Sequence, residues 1–200
     1  MIAIVDYGVG NTRAIANMLK KLGADFVISN DKKQIAAASK LILPGVGAFD
    51  AAIRELEKLD LHEILHQKAT REKIPVLGIC LGMQLLTNGS EEGNEKGFGW
   101  IPAFAYKFQQ KDLKVPHMKW CYVKKLGESP LTKDLDPAPK FYFVHSYYVK
   151  AEKKDHVLLQ AEYGLPFDAA IQNENIYGVQ FHPEKSHKYG MKILSNFSGL

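Results

Sequence analysis

The chain has 200 residues, 46% hydrophobic and 24% charged, with a formal net charge of +4; this is enough apolar material for one compact domain over residues 1–200. No run approaches the roughly 18 apolar residues of a membrane span, and "MIAIVDYGVGN" lacks the basic start and cleavage site of an export signal. With only Cys80 and Cys121 there is no disulfide framework, so a reducing cytoplasm is expected.

The charge is uneven. Between Tyr106 and Lys154 eleven lysines stand against five carboxylates, so this segment carries +6 and the remainder about −2. The excess suits either a face for an acidic partner or phosphorylated ligand, or a set of solvated lysines on hairpins. No RRM, helix-turn-helix or zinc-finger signature accompanies it, which argues against nucleic acid.

In chain order, "IAIVD" (2–6) reads as a strand. "TRAIANMLKKLG" (12–23) sets Ile15, Met18, Leu19 and Leu22 at helical spacing and stops at Gly23. "DFVIS" (25–29) and "KLILP" (40–44) are further strands, followed by a helix or helix pair through 48–69. "IPVLGI" (74–79) is a strand that delivers Cys80, and "LGMQLLTN" opens the next helix. Strands alternating with helices, themselves continuously apolar, imply a parallel sheet built from βαβ units. From about Trp100 the pattern becomes β-rich: "AFAYKFQ", "KWCYVKK", "KFYFVHSYYVK", "HVLLQAEY", "FDAAIQN" and "NIYGVQF" are punctuated by Gly, Pro and Asp. "GMKILSNF" (190–197) closes the chain as a helix. The expected fold is α/β, a mostly parallel central sheet flanked by helices with an antiparallel second half.

Three places carry chemistry. In "PVLGICLGMQLL" an apolar strand stops at Cys80 between Gly78 and Gly82, the cysteine form of a strand-turn-helix nucleophile corner. There the helix start favours thiolate and the glycines leave room for close backbone packing. The bland alternative is a buried cysteine beside two packing glycines. In "VQFHPEKS" (179–186), His182 follows a strand that Pro183 breaks, and Glu184 lies within reach of the imidazole, as an oriented general base requires. In "LPGVGAF" (43–49), a Gly-rich strand-to-helix loop supplies backbone N–H groups. Val46 and Gly47, with Leu81 after the nucleophile, would hold an oxyanion. A plain loop needing glycine for its turn is the alternative.

"HEILH" (62–66) matches the H-E-x-x-H zinc motif, with His62, Glu63 and His66 as a zinc hydrolase would use them. On a helical wheel Leu61, Ile64 and Leu65 form the apolar face and the two histidines flank it toward solvent. His117 and His145 lie in the β-rich half and are candidates for lining a site, while His156 and His187 look exposed.

"GICLGMQLL" together with "GVQFHPEKS" resembles the triad of class I glutamine amidotransferases. "DYGVGN", "LPGVGAFD", "GSEEG", "VPHM", "FYFVHSYY" and the closing "NF" extend the resemblance over essentially the whole chain. They narrow it to one branch, the glutaminase subunits of imidazole glycerol phosphate synthase in histidine biosynthesis. The resemblance implies Cys80 as nucleophile on glutamine, His182 as proton shuttle and Glu184 as its orienter. It also implies Val46 and Leu81 at oxyanion positions, and Gln84, Glu92, His145, Ser146 and Tyr147 around the substrate. It implies no metal or organic cofactor, and a heterodimer with a (β/α)₈-barrel synthase subunit that receives the ammonia. An intact glutaminase-type framework, with Gln84 and "SEEG", argues against a cysteine peptidase on the same fold. One block departs: "HMKWC" carries Lys119 and Cys121 where this branch reads glycine and asparagine. With Trp100 in place of a frequent leucine, this leaves open a paralogous glutaminase feeding a synthase that amidinates a surface-polysaccharide sugar.

Overall fold

The apolar runs of the sequence assemble around one large sheet in the computed structural model, which describes residues 1–109 and 113–200. The strands of the first half are β1 (Ile2–Val5), β2 (Phe26–Ser29), β3 (Lys40–Gly45) and β4 (Val76–Cys80). Those of the second half are β5 (Ala103–Lys107), β6 (His117–Tyr122), β7 (Lys124–Lys125), β8 (Lys140–His145), β9 (Tyr147–Ala151), β10 (Val157–Glu162), β11 (Pro166–Asn173) and β12 (Ile176–Val179). The helices are α1 (Thr12–Lys21), α2 (Lys32–Ala37), α3 (Phe49–Lys58), α4 (His62–His66), α5 (Leu81–Leu85) and α6 (His187–Ser198).

The large sheet has the order β2-β1-β3-β4-β12-β11-β10-β7. Its first five strands are mutually parallel; β11, β10 and β7 then continue it antiparallel. Two small antiparallel pairs, β5–β9 and β6–β8, lie outside it. The central strands are buried on both faces, as their unbroken Val/Ile/Leu character requires. One face is covered by α1 and α6, whose Ile15, Leu19, Ile193, Leu194 and Phe197 belong to a single core. The other is covered by α3, α4 and α5 through Phe49, Ile53, Leu56, Leu65 and Leu85. Each such side chain, fully buried, contributes about 1.5–3 kcal/mol. Helix α1 starts where Asn11 Oδ1 accepts the Ala14 N–H at 3.2 Å, and Gly23 (φ +67°) lets the chain leave it.

The alternation of strand and helix is as the sequence implies, except that α2 was not anticipated and two runs differ in placement or length. The run "IYGVQF" joins the parallel half of the sheet. It inserts as β12 between β4 and β11, parallel to β4. Helix α5 is only five residues long, so "LGMQLLTN" turns away after Leu85. Among the described residues no helix is long and apolar enough to cross a membrane.

Register sets the position of the chemistry. Gly45 of β3 pairs with Cys80 of β4, and Ile79 of β4 pairs with Val179 of β12. The loop after β3, the turn after β4 and the turn after β12 therefore leave the sheet at one edge, where ligands of open α/β sheets bind.

Candidate active site

Cys80 has φ +55° and ψ −108°, a left-handed conformation that costs a non-glycine residue about 1–3 kcal/mol. It persists because the backbone around it is locked by packing. A Cβ on Gly78 would lie 2.6 Å from the Gly82 carbonyl oxygen, one on Gly45 would lie 2.8 Å from Gly82 N, and one on Gly82 would collide with the Leu43 carbonyl. Neither Gly78 nor Gly82 has a positive φ; what the turn needs from them is space for β3, β4 and α5 to meet backbone to backbone.

His182 follows β12 and is held by its own N–H on the Tyr142 carbonyl at 2.9 Å. Its carbonyl accepts from Ser186 Oγ at 2.7 Å, and that oxygen in turn accepts the Tyr142 N–H at 3.0 Å. Pro183–Lys185 forms a single 3₁₀ turn, which brings Glu184 Oε1 to 2.8 Å from His182 Nδ1. Both side chains are almost fully buried. Burial would push the imidazole down, but Cys80 and Glu184 outweigh it and raise the ring to about 10. The charged form of the ring is thereby favoured, with Nδ1 on Glu184 and Nε2 left toward Cys80.

Cys80, Leu81 and Gln84 share a cavity of about 250 Å³ with Val46, Gly47, Glu92, His145, Ser146, Tyr147 and His182. This is below the roughly 300–1,000 Å³ of drug-sized pockets and suits a single amino acid. Glu92 is fixed because its Oε2 accepts the Phe49 N–H at 3.0 Å. The following loop is tied down by Asp50, whose carboxylate accepts the Asn94 and Glu95 N–H groups at 3.1 Å each. Those two backbone donors hold Asp50 below the usual carboxylate range. Gln84 Nε2 donates to the Tyr147 carbonyl at 3.3 Å and to Gln180 Oε1 at 3.4 Å. Its own Oε1 is thereby the atom left to accept from a ligand.

Behind the cavity, His117 Nδ1 and His145 Nε2 are 2.9 Å apart, and His145 Nδ1 is 2.8 Å from the Tyr147 carbonyl. A carbonyl only accepts, so His145 carries its proton on Nδ1, and His117 must donate through its own Nδ1 to His145 Nε2. Burial is the main reason both rings stay neutral, His117 at about 4 and His145 at about 3.

Three contributors to this region carried no signal that the sequence reading used. Tyr7, fully buried, donates to the Pro44 carbonyl at 2.5 Å and anchors the loop after β3; burial first, then the nearby Cys80, holds its hydroxyl protonated. Lys185 lines the cavity mouth. Gln180 is an entirely buried amide between Val179 and Phe181. A polar side chain interrupting an apolar run was its available signal.

The histidines of "HEILH" lie elsewhere. The expectation that both turn to solvent holds for His62 only. His66 is half-buried, and its Nδ1 accepts the Trp100 indole N–H at 3.1 Å. That bond leaves the ring proton on Nε2, the wrong tautomer for a metal ligand at that atom. Trp100 in turn stacks on Phe98 at 4.2 Å, and Glu63 points outward toward Arg71 at 3.7 Å. His156 is likewise less exposed than its sequence context suggests, with a buried Nδ1, and His187 stacks on Trp120 at 5.5 Å.

The chain and its fold have counterparts among known proteins. Residues 3–198 match the family Glutamine amidotransferase class-I. The chain is 54% identical over 98% of both lengths to imidazole glycerol phosphate synthase subunit HisH 2 of Methanococcus maripaludis. It is 46% identical, over the full length of both, to the HisH subunit of Bdellovibrio bacteriovorus and to HisH 2 of Pseudomonas aeruginosa. A crystal structure of a glutamine amidotransferase superposes with a TM-score of 0.77 over 100% of this chain and 99% of that one, at 16% identity. The structure of PurLQS from Thermotoga maritima does so at 0.73 over 98% and 96%, at 19% identity; both establish the fold alone. With a family match over nearly its whole length and relatives this similar end to end, the chain belongs to the class I glutamine amidotransferases.

Proposed function

We propose that the chain is the glutaminase subunit of an imidazole glycerol phosphate synthase, hydrolysing glutamine to glutamate and ammonia for a cyclase subunit in histidine biosynthesis. The observation that carries the reading is the meeting of Cys80, the His182–Glu184 pair and the loop at Val46–Gly47 on one amino-acid-sized cavity. The thiolate of Cys80 attacks the carboxamide carbon of glutamine. The N–H groups of Val46, Gly47 and Leu81 hold the oxyanion of the tetrahedral intermediate. His182, in its imidazolium form, gives its proton to the departing nitrogen, which leaves as ammonia. The resulting γ-glutamyl thioester is cut by a water whose proton returns to His182, releasing glutamate and thiolate. Glu184 fixes the imidazole tautomer throughout. Gln84 and Glu92 suit the α-ammonium of the substrate, and His145, Ser146 and Tyr147 line the same cavity.

A partner surface follows from the same geometry. The outward side of β6 exposes Met118 at 58% and Tyr122 at 64%, with Trp120 between them. Lys140 lies over the Trp120 and Tyr122 rings at 5.7 and 5.9 Å, and Lys185 over Tyr142 at 5.9 Å. Pro116 and Lys185 connect this face to the cavity mouth. Exposed aromatics rimmed by cations suit the centre of a protein interface. It is the face on which a barrel-type synthase subunit would receive ammonia, as a heterodimer in the cytoplasm. Lys119, set 4.7 Å over the Tyr163 ring, adds charge to its edge.

The test is glutamate release by the wild type beside Cys80→Ala, with and without the cyclase subunit of the same organism loaded with its nucleotide ligand. Stimulation that vanishes in the variant supports chemistry and pathway together. Cys80-dependent hydrolysis with no response to the cyclase subunit retains the chemistry and overturns the pathway in favour of a sugar-amidinating synthase. No hydrolysis under either condition overturns both.

A further inference from the structure

A line of buried polar groups runs from β6 to the nucleophile, and its last member has no role in the reaction as derived above. Gln180 lies one residue beyond β12, fully buried, with Nε2 3.7 Å from Cys80 Sγ and Oε1 3.4 Å from Gln84 Nε2. We propose that Gln180 is a positioning residue for Cys80, its amide N–H kept on the sulfur by a relay of hydrogen bonds that begins at His117. The proposal rests on the glutaminase reading for its meaning, although not for its test.

The orientation follows from donor and acceptor counting. The Tyr147 carbonyl can only accept, and it takes the His145 Nδ1–H at 2.8 Å and a Gln84 N–H at 3.3 Å. Gln84 therefore presents its NH₂ to the Tyr147 carbonyl and, with its second hydrogen, to Gln180. Gln180 must meet that donor with its oxygen, which leaves its own NH₂ toward Cys80. Turning either amide around would set oxygen against oxygen or N–H against N–H inside a buried cluster, a costly arrangement. His117 completes the line from the far side by donating to His145 Nε2, which holds the ring in the tautomer and orientation that the Tyr147 carbonyl selects. A thiolate in this cavity thus always meets a fixed N–H donor, and charge-assisted bonds of that kind are the stronger ones. Such a donor shapes the reactivity of the sulfur by favouring its charged form and by holding its direction toward the cavity.

Other titratable groups face the same sulfur. His182, with Glu184 behind it, comes from the turn after β12; Tyr7 from the end of β1; His145 from β8; and Glu92 and Lys185 stand at the cavity mouth. All are retained in the test, which therefore isolates the amide.

The experiment follows alkylation of Cys80 by iodoacetamide against pH in the full-length chain, in a Cys121→Ser background so that one thiol reports. Gln180→Met keeps the volume and removes the donor, and Gln180→Glu keeps the acceptor for Gln84 but puts a carboxylate oxygen on the sulfur. We expect Gln180→Met to move the inflection upward by roughly one pH unit, which is about tenfold slower alkylation below it. Gln180→Glu should move it further, and His117→Phe in the same direction by less. Folded Gln180 variants that alkylate like the parent overturn the proposal. Should both fail to fold, an unchanged inflection in His117→Phe overturns the relay. Alkylation requires no glutamine turnover, so a wild type without glutaminase activity would sink the enzyme reading and leave the Gln180 result intact.

Discussion

Replacing His117 with phenylalanine separates the two roles of the buried histidine pair, because one is worth most at alkaline pH and the other acts only in acid. His117 is stacked between Phe143 at 5.2 Å and Tyr163 at 4.1 Å, so a phenyl ring keeps those contacts while removing the bond to His145. At pH 8 the variant loses that bond and leaves His145 Nε2 without its donor, a cost of about 1–3 kcal/mol. On acidification the sign reverses. The folded His117 sits at about 4, below its ordinary 6.5. Between those values the unfolded chain therefore binds the additional proton, and stability falls as pH falls. From pH 8 to pH 5 this group alone takes about 2 kcal/mol from the wild type before solvent screening trims it. The phenylalanine variant is spared that loss. Urea unfolding of both proteins at pH 8, 7, 6 and 5 should give two stability curves that converge toward acid. Parallel curves would refute the reasoning, since they would mean that His117 titrates alike in the folded and unfolded chain.

Four other outcomes are expected. Gly78→Ala forces a Cβ against the Gly82 carbonyl and should cost about 2 kcal/mol or more, read as a lower denaturant midpoint. Glu184→Gln removes the charge from His182 Nδ1 and should slow glutamine hydrolysis by roughly a hundredfold or more, with little change in KM. Trp100→Leu abolishes the indole bond to His66 and the Phe98 stack. It should destabilise by about 2–4 kcal/mol while leaving glutaminase turnover per folded molecule unchanged. Trp120→Ala, on the exposed face of β6, should weaken binding to the synthase subunit at least tenfold in a titration; Lys119→Ala should do so by less, with glutamine chemistry intact in both.

The reactive corner was legible because its signals are local. A strand that stops at a cysteine between two glycines, and another that stops at histidine before proline, each announce a turn at a sheet edge. That these turns adjoin came from the family resemblance and not from the local pattern, since Cys80 and Gln180 are 100 residues apart and the β4–β12 register brings them together. The same distance hides the role of His66, whose partner Trp100 lies 34 residues further on. Helix α2 escaped the sequence reading for a different reason. Its six residues bury only Ile35, too little apolar surface to leave a period, and its N-cap is the Asp31 carboxylate on the Gln34 N–H. Gln180 was visible as an oddity in "GVQF", but an isolated buried amide has no meaning until its partners are known.

The placement of β12 also governs when the protein becomes reactive during its synthesis. As an extending polypeptide, the chain can build β1 to β4 early, with Cys80 among them, yet the slot beside β4 stays open until residues near 176 emerge. Only then does His182 arrive to form the ion pair, and only then is the edge of β4 sealed against pairing with other chains. Closing the centre of the sheet and bringing His182 to Cys80 are thus one event in the assembly of the chain. Ribosome stalling ahead of Ile176 should accordingly produce aggregates rather than stray ammonia.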